Sequence, residues 1–111
     1  MTKVAVLGAG SWGTALSIVL ADNGCDVRLW SYRQEQVAEI NETHTNKQYL
    51  HTELPSNITA YFDLKEAVSD VDFILFVVPT KAIRMVSKQV NEFLSHKPFI
   101  VMLQRGLKWI H

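Results

Sequence analysis

Val4-Ala5-Val6-Leu7-Gly8-Ala9-Gly10-Ser11-Trp12-Gly13-Thr14-Ala15-Leu16 is the stretch that decides the fold of this chain. A short apolar run ends in glycines, and a helical pattern starts at once. Lys3 to Leu7 is rich in valine and reads as a strand. Trp12, Ala15, Leu16, Val19 and Leu20 recur at the spacing of one helix face, which predicts an amphipathic helix with those residues inward. Between the two lies G-x-G-x-x-G, running from Gly8 to Gly13. Alone, that pattern is weak. Between a strand and a helix it is the fingerprint of a turn that holds the pyrophosphate of a dinucleotide. Gly8 permits the tight turn out of the strand, Gly10 lets the backbone approach the pyrophosphate, and Gly13 lets the helix pack closely on the strand. The helix N-terminus then presents free N–H groups and partial positive charge to the phosphates. Ser11 can add a hydroxyl donor. Trp12 either shields the pyrophosphate or packs against neighbouring loops. The competing reading, a glycine-rich turn with no ligand, is disfavoured by the strand-turn-helix context.

Outward from this unit, strand and helix signals alternate. Gly24 stands where a helix end needs a positive φ, and Asp26 to Trp30 reads as a second strand. Gln34 to Asn41 reads as a short helix, and Thr43 to Pro55 as a loop long enough to suggest a functional purpose. Asn57 to Phe62 is a weak third strand. Asp63 looks like the N-cap of a helix through Ser69, with Glu66 completing a capping box. Asp72 to Val78 is apolar nearly throughout, as a central parallel strand buried on both faces would be. Pro79 ends it, and Thr80 is placed to cap the next helix, whose apolar face is Ile83, Val86, Val90, Phe93 and Leu94. Phe99 to Leu103 is a fifth strand.

This order implies an α/β fold: a Rossmann-type, doubly wound parallel sheet of about five strands, forming one NAD(P)-binding domain over residues 1–111. A complete dinucleotide fold needs another helix and strand after Leu103. The chain therefore reads as a fragment truncated before the sixth strand. Its fifth strand would be an exposed edge, and a self-associating or marginally stable species is expected.

Composition narrows the function classes. The 111 residues allow one compact domain, and 11 basic residues balance 11 acidic ones. With no basic run or face, nucleic acid is not an expected partner. No apolar stretch approaches the ~20 residues of a membrane span, and no secretory signal is present. Cys25 is the single cysteine, so no intrachain disulfide is possible, and it reads as a small filler. A cytoplasmic protein is the simplest reading. His44, His51, His96 and His111 show no metal-ligand spacing, so no metal is expected; His44 and His51 read as solvated loop residues.

The cofactor is read from the end of the second strand. In NAD-specific folds a carboxylate stands there to bind the ribose 2′-hydroxyl. Here the segment is Leu29-Trp30-Ser31-Tyr32-Arg33, with no carboxylate at the strand end. Arg33 lies where a 2′-phosphate would sit, and its planar fork suits that group. Tyr32 can stack on the adenine. NADPH is favoured, with NADH left open. The alternative for Arg33 is a solvated helix-start residue, and Glu35 is near enough to serve the ribose hydroxyl instead. Pro79 and Thr80 sit at the crevice end of the central strand, where backbone contact with the nicotinamide half is expected; strand terminator plus helix cap is the plainer alternative. Arg84, one turn on, either faces the crevice or meets solvent.

The residues also resemble a family. Gly8-Ala9-Gly10-Ser11-Trp12-Gly13-Thr14-Ala15-Leu16 is similar to the start of bacterial-type NAD(P)-dependent glycerol-3-phosphate dehydrogenases. Leu29-Trp30 with Arg33, the Asn46-Lys47-Gln48-Tyr49-Leu50 loop, Leu54-Pro55-Ser56-Asn57-Ile58, and Val78-Pro79-Thr80 with Arg84 resemble that family's motifs in order. The resemblance runs to Gly106. It implies a parent enzyme that interconverts dihydroxyacetone phosphate and sn-glycerol 3-phosphate with NAD(P)H, for phospholipid synthesis. It also implies a helical C-terminal domain, carrying the catalytic lysine and most substrate contacts, that is absent from this chain. No catalytic residue is then expected here, nor significant turnover, and a homodimeric parent stays open because the family's dimer contacts lie largely in that domain. The chain departs from the family at Arg105-Gly106-Leu107-Lys108, where a K-G-[IL]-E run is usual. By resemblance Arg105 would contact both cofactor and substrate phosphate; arginine keeps the charge but changes reach and geometry. The competing functions are another Rossmann dehydrogenase, acting on a 2-hydroxy acid or a sugar nucleotide, and a dinucleotide-binding module without chemistry.

Overall fold

The computed structural model describes residues 1–94, 98–104 and 108–110. Strands β1 (Lys3–Leu7), β2 (Asp26–Trp30), β3 (Ile58–Tyr61), β4 (Phe73–Phe76) and β5 (Phe99–Gln104) alternate with helices α1 (Ser11–Asp22), α2 (Gln34–Thr43), α3 (Leu64–Ala67) and α4 (Thr80–Phe93). The strands lie in the order β3-β2-β1-β4-β5, all parallel. This is the doubly wound sheet that the alternation implied. A sixth strand, β6 (Lys108–Ile110), adds to the far edge. It runs antiparallel to β5, with Met102 opposite Ile110 and Gln104 opposite Lys108. The sequence did not announce it, because three residues are too few to show a period. The edge expected to be bare is thus paired over Met102 to Gln104.

Each face of the sheet carries its own core, because successive side chains of a strand point to opposite sides. Val4 and Val6 of β1, Val27 and Leu29 of β2, and Ile58 and Ala60 of β3 face Ala21 of α1 and Ile40 of α2. Ala5, Leu7, Ile74 and Phe76 face the other way, onto Leu64, Ala67 and Val68 of the α3 segment and Val86 and Val90 of α4. Asp63 caps α3 as expected, its side chain accepting from the Lys65 N–H at 2.9 Å. That helix is one turn, shorter than the reading through Ser69. Thr80 is not the cap of α4: it is already the first helical residue, and Pro79 holds the N-cap position without a side-chain hydrogen bond.

The expected inward face of α1 also needs correction. The residues buried on this helix are Gly13, Thr14, Ser17 and Ala21, while Trp12 and Val19 are each 57% exposed. The reason is distance. A Cβ built on Gly13 would fall far inside contact distance of the Gly8 carbonyl oxygen, so the helix lies too close to its strand for large side chains between them. The two buried hydroxyls are satisfied within the helix: Thr14 Oγ1 donates to Gly10 O and Ser17 Oγ to Gly13 O, each at 2.7 Å. Small residues make the closest contact, and of the expected apolar face Leu20 still packs against the core, beside Ile18.

Candidate functional site

The order β3-β2-β1-β4-β5 reverses direction between β1 and β4, since the chain leaves β1 for one side and later returns to the other. In open parallel sheets the crevice at that switch, beyond the carboxyl ends of the strands, is where ligands bind. Leu7 pairs with Trp30 on one side and Phe76 on the other. The segments after these three residues therefore emerge together: Gly8 to Gly13, Ser31 to Arg33, and Val77 to Pro79.

The glycine turn is built around two tight approaches and one open space. Gly8 has φ +131°. A Cβ there would lie 2.7 Å from the Val77 carbonyl oxygen, so the ends of β1 and β4 meet backbone to backbone. Gly13 seats α1 on the Gly8 carbonyl. Gly10 differs from both: a Cβ would meet no atom within 4 Å, and its φ of −77° is open to any residue. The backbone beside Gly10 therefore borders open space, and no protein atom stands against it. Gly10 is the N-cap of α1, so no side chain satisfies the first-turn N–H groups, and no acidic residue lies in that turn. A helix N-terminus of this kind carries partial positive charge, here at the end of the sheet where β1, β2 and β4 finish. Ser11 and Trp12 are exposed beside it.

At the end of β2, Tyr32 is 74% exposed, its ring tilted at 49° to that of Trp30 with centroids 6.5 Å apart. Arg33 is held at two points: Nε donates to Glu35 Oε1 at 2.9 Å and Nη1 to Gln48 Oε1 at 3.0 Å. The Glu35 carboxylate pushes the guanidinium pKa up. In return the Glu35 carboxyl is held below the usual range, first by a backbone N–H and then by Arg33. Gln48, on the loop after α2, was not singled out by sequence reasoning. Its motif, N-x-x-Y-L, was flagged only as a resemblance.

That loop reaches the glycine turn through a buried polar cluster which the sequence also left unread. Asn46, 1% exposed, donates from Nδ2 to Ala9 O at 3.1 Å and to Thr14 Oγ1 at 2.8 Å. Gln36 of α2 donates from Nε2 to the same Ala9 oxygen at 2.7 Å and to Asn46 Oδ1 at 3.1 Å. Its Oε1 accepts from the Ser31 hydroxyl, which in turn accepts from the Arg33 N–H. A buried amide in a long loop is a signal in principle, but burial is not visible in the sequence.

The structure thus brings Gly8, Gly10, Ser11, Trp12, Gly13, Tyr32, Arg33 and Pro79 to one end of the sheet. Pro79 is exposed at the start of α4, and its carbonyl is taken by the Ala82 N–H at 2.8 Å. Arg105 lies outside the described residues. A shallow cavity of about 550 Å³ lies at the opposite end, among Met1, Thr2, Val71, Asp72, Phe73, Pro98 and Phe99. It has no cluster of donors comparable to the glycine turn. Among the described residues no group of three His, Cys, Asp or Glu side chains is placed to hold a metal ion, and no helix is long and apolar enough to cross a membrane.

Comparison with known proteins bears on the family and the fold. Residues 3–110 match the family described as "NAD-dependent glycerol-3-phosphate dehydrogenase N-terminus". The chain is 55% identical over 108 residues to a glycerol-3-phosphate dehydrogenase [NAD(P)+] of Oceanobacillus iheyensis, covering 97% of this chain and 31% of the relative. It is 54% identical over 107 residues to the enzyme of that name from Streptococcus mutans, covering 96% of this chain and 32% of the relative. The crystal structure of glycerol-3-phosphate dehydrogenase from Coxiella burnetii superposes with a TM-score of 0.87 at 40% identity, over 94% of this chain and 32% of that one. The chain spans about a third of the length of these relatives.

Proposed function

Because the chain belongs to the NAD-dependent glycerol-3-phosphate dehydrogenase family, at the family's N-terminal part, we propose that it is the cofactor-binding domain of an enzyme interconverting dihydroxyacetone phosphate and sn-glycerol 3-phosphate. Family membership favours this over another Rossmann dehydrogenase. One observation carries the cofactor reading: the open space beside Gly10, at a helix N-terminus whose first-turn N–H groups have no side-chain cap. The pyrophosphate is held there by the backbone of Gly10 to Gly13, with Ser11 adding a hydroxyl and Trp12 covering the site from solvent. Tyr32 offers its exposed ring to the adenine. Pro79 borders the nicotinamide half. When bound, the nicotinamide supplies or accepts the hydride exchanged with the substrate's C2. This chain's own residues bind and orient the cofactor; Arg105 is assigned to the cofactor and substrate phosphates. The proton donor to the carbonyl and most substrate contacts belong to a helical substrate domain, which we place outside residues 1–111. The enzyme acts in the cytoplasm, in phospholipid synthesis, and a homodimer is compatible with this assignment.

Between the two nicotinamide cofactors, Arg33 favours NADPH. Its side chain is at the edge of the site, two-thirds buried, and already paired with Glu35 and Gln48. A 2′-phosphate would compete for a guanidinium that Glu35 partly neutralises, so the preference is moderate and NADH still binds. Titration of nicotinamide fluorescence tests this. Arg33→Ala should weaken NADPH by about tenfold, the scale of one charge-assisted contact, while changing NADH little. Equal losses for both cofactors would remove Arg33 from the 2′-phosphate role.

A further inference from the structure

We propose that Asn46, seconded by Gln36, is a positioning residue for the phosphate-binding turn: the loop after α2 holds the Ala9 peptide so that its neighbour's N–H is aimed at the cofactor. This rests on the dinucleotide reading above. A trans peptide is a rigid plane, and its carbonyl and the next N–H point in opposite directions. Whatever fixes the Ala9 oxygen therefore fixes the Gly10 N–H. That oxygen is turned into the protein, where it accepts from Gln36 Nε2 at 2.7 Å and from Asn46 Nδ2 at 3.1 Å. The Gly10 N–H must then point away from this cluster, toward the crevice.

Glycine on both sides of Ala9 makes such a hold necessary. Gly8 and Gly10 lack the side chains that would restrict the turn, so the Ala9 peptide is the plane most free to flip. Among the described residues no backbone N–H takes the Ala9 oxygen. Two buried side-chain amides take it instead, with the Thr14 hydroxyl a longer 3.4 Å away, and each amide is itself tied down. Asn46 Oδ1 accepts from Gln36, and its second N–H goes to Thr14 Oγ1 on α1. Gln36 Oε1 accepts from Ser31 at the end of β2. Asn46 is fixed from behind by its own loop: its carbonyl accepts from Tyr49 and Leu50, and the next N–H, of Lys47, is bound by Glu39 Oε2 at 2.8 Å. Each of the four amide N–H bonds of the pair has a partner, and both amide oxygens accept. A network satisfied to this degree has one arrangement, not several.

The arrangement also joins the two halves of the site. The loop that presents Asn46 to the glycine turn presents Gln48, two residues on, to Arg33. A displaced loop would disturb both ends of the cofactor's adenosine diphosphate portion. The effect of Asn46 itself belongs to the pyrophosphate end, which both nicotinamide cofactors share.

The test titrates the chain and two variants, Asn46→Ala and Gln36→Met, with NADH and with adenosine, alongside thermal melts and ¹H–¹⁵N spectra. Asn46→Ala should weaken NADH by about tenfold or more, the scale of one positioned hydrogen bond. The Gly10 and Ser11 amide resonances should shift or broaden. Adenosine, which has no phosphate, should bind as to the unsubstituted chain. Gln36→Met, which keeps side-chain length and removes one donor to Ala9, should give the same pattern at smaller amplitude, and it carries the test if Asn46→Ala does not fold. Unchanged NADH affinity in a folded variant overturns the proposal. So does a parallel loss of NADH and adenosine, which would mean a purely structural amide. If the unsubstituted chain binds NADH nowhere, the cofactor reading itself falls, and the proposal with it.

Discussion

Helices α1 and α4 leave the same crevice on opposite faces of the sheet, yet they are packed by opposite means. α4 lays Val86 and Val90 into an apolar core with Ile74 and Phe76, as periodicity expects, with Ile83 and Leu94 packed beside them, while Phe93 of the expected face is exposed. α1 is drawn against its strand through Gly13, Thr14, Ser17 and Ala21, and turns Trp12 and Val19 outward. One helix is placed by filling volume, the other by excluding it. The difference teaches what each contributes. Burial holds α4 where the sheet needs covering. Close approach puts the N-terminus of α1, and its free N–H groups, beside the end of β1, where an anion can use them.

The sharpest way to break this contrast is to add one methyl group to α1. Gly13→Ala drives a Cβ into the Gly8 carbonyl, and rigid backbone cannot yield as a side chain does. We expect a loss of more than about 4 kcal/mol, enough to abolish the cooperative melt. The same change three residues earlier should behave differently. Gly10→Ala meets no protein atom, so the fold should lose less than about 1 kcal/mol. NADH affinity should fall by about a hundredfold, because the new Cβ occupies the phosphate space. Melting curves and fluorescence titrations on the pair separate the two kinds of glycine.

On the α4 side the expectation inverts. Val90→Ala opens a cavity in the apolar core and should cost about 2 kcal/mol, seen in denaturant unfolding, with cofactor affinity unchanged. The smallest effect concerns pH. On the α1 side, Glu39 is held below the usual carboxylate range chiefly by the Lys47 backbone N–H, and also by the Thr45 hydroxyl. A depressed native pKa contributes stability that is complete above the ordinary carboxylate value, about 4.3, and is lost as pH falls through the native value. Acidification should therefore loosen the loop around Asn46 before it disturbs α4. Hydrogen exchange at the Lys47 amide, compared with that at Val90, checks it.

The same contrast explains what was legible in the sequence. Strand order, helix order and the apolar face of α4, except Phe93 at its end, follow from runs and periods, which are local. The glycine turn is legible because its three glycines stand at fixed spacing between an apolar run and a helical pattern, all within a few residues. The inward face of α1 was misread because hydrophobicity was counted where size decided, and the limit on size comes from Gly8, outside the helix. Gln36 and Asn46 were missed because their partner is a backbone oxygen 27 and 37 residues away, and nothing in an amide side chain tells which carbonyl it will meet. The antiparallel strand Lys108–Ile110 was missed for want of length.

The most direct test of the central claim, that the dinucleotide sits at the carboxyl ends of β1, β2 and β4, is to map NADH onto the chain by amide chemical-shift perturbation. The account predicts the largest changes at Gly8 to Thr14, with further changes at Ser31 to Arg33 and at Val77 and Val78, and none at Thr2, Asp72 or Phe99. Perturbations centred on those last residues, at the opposite end of the sheet, would contradict it.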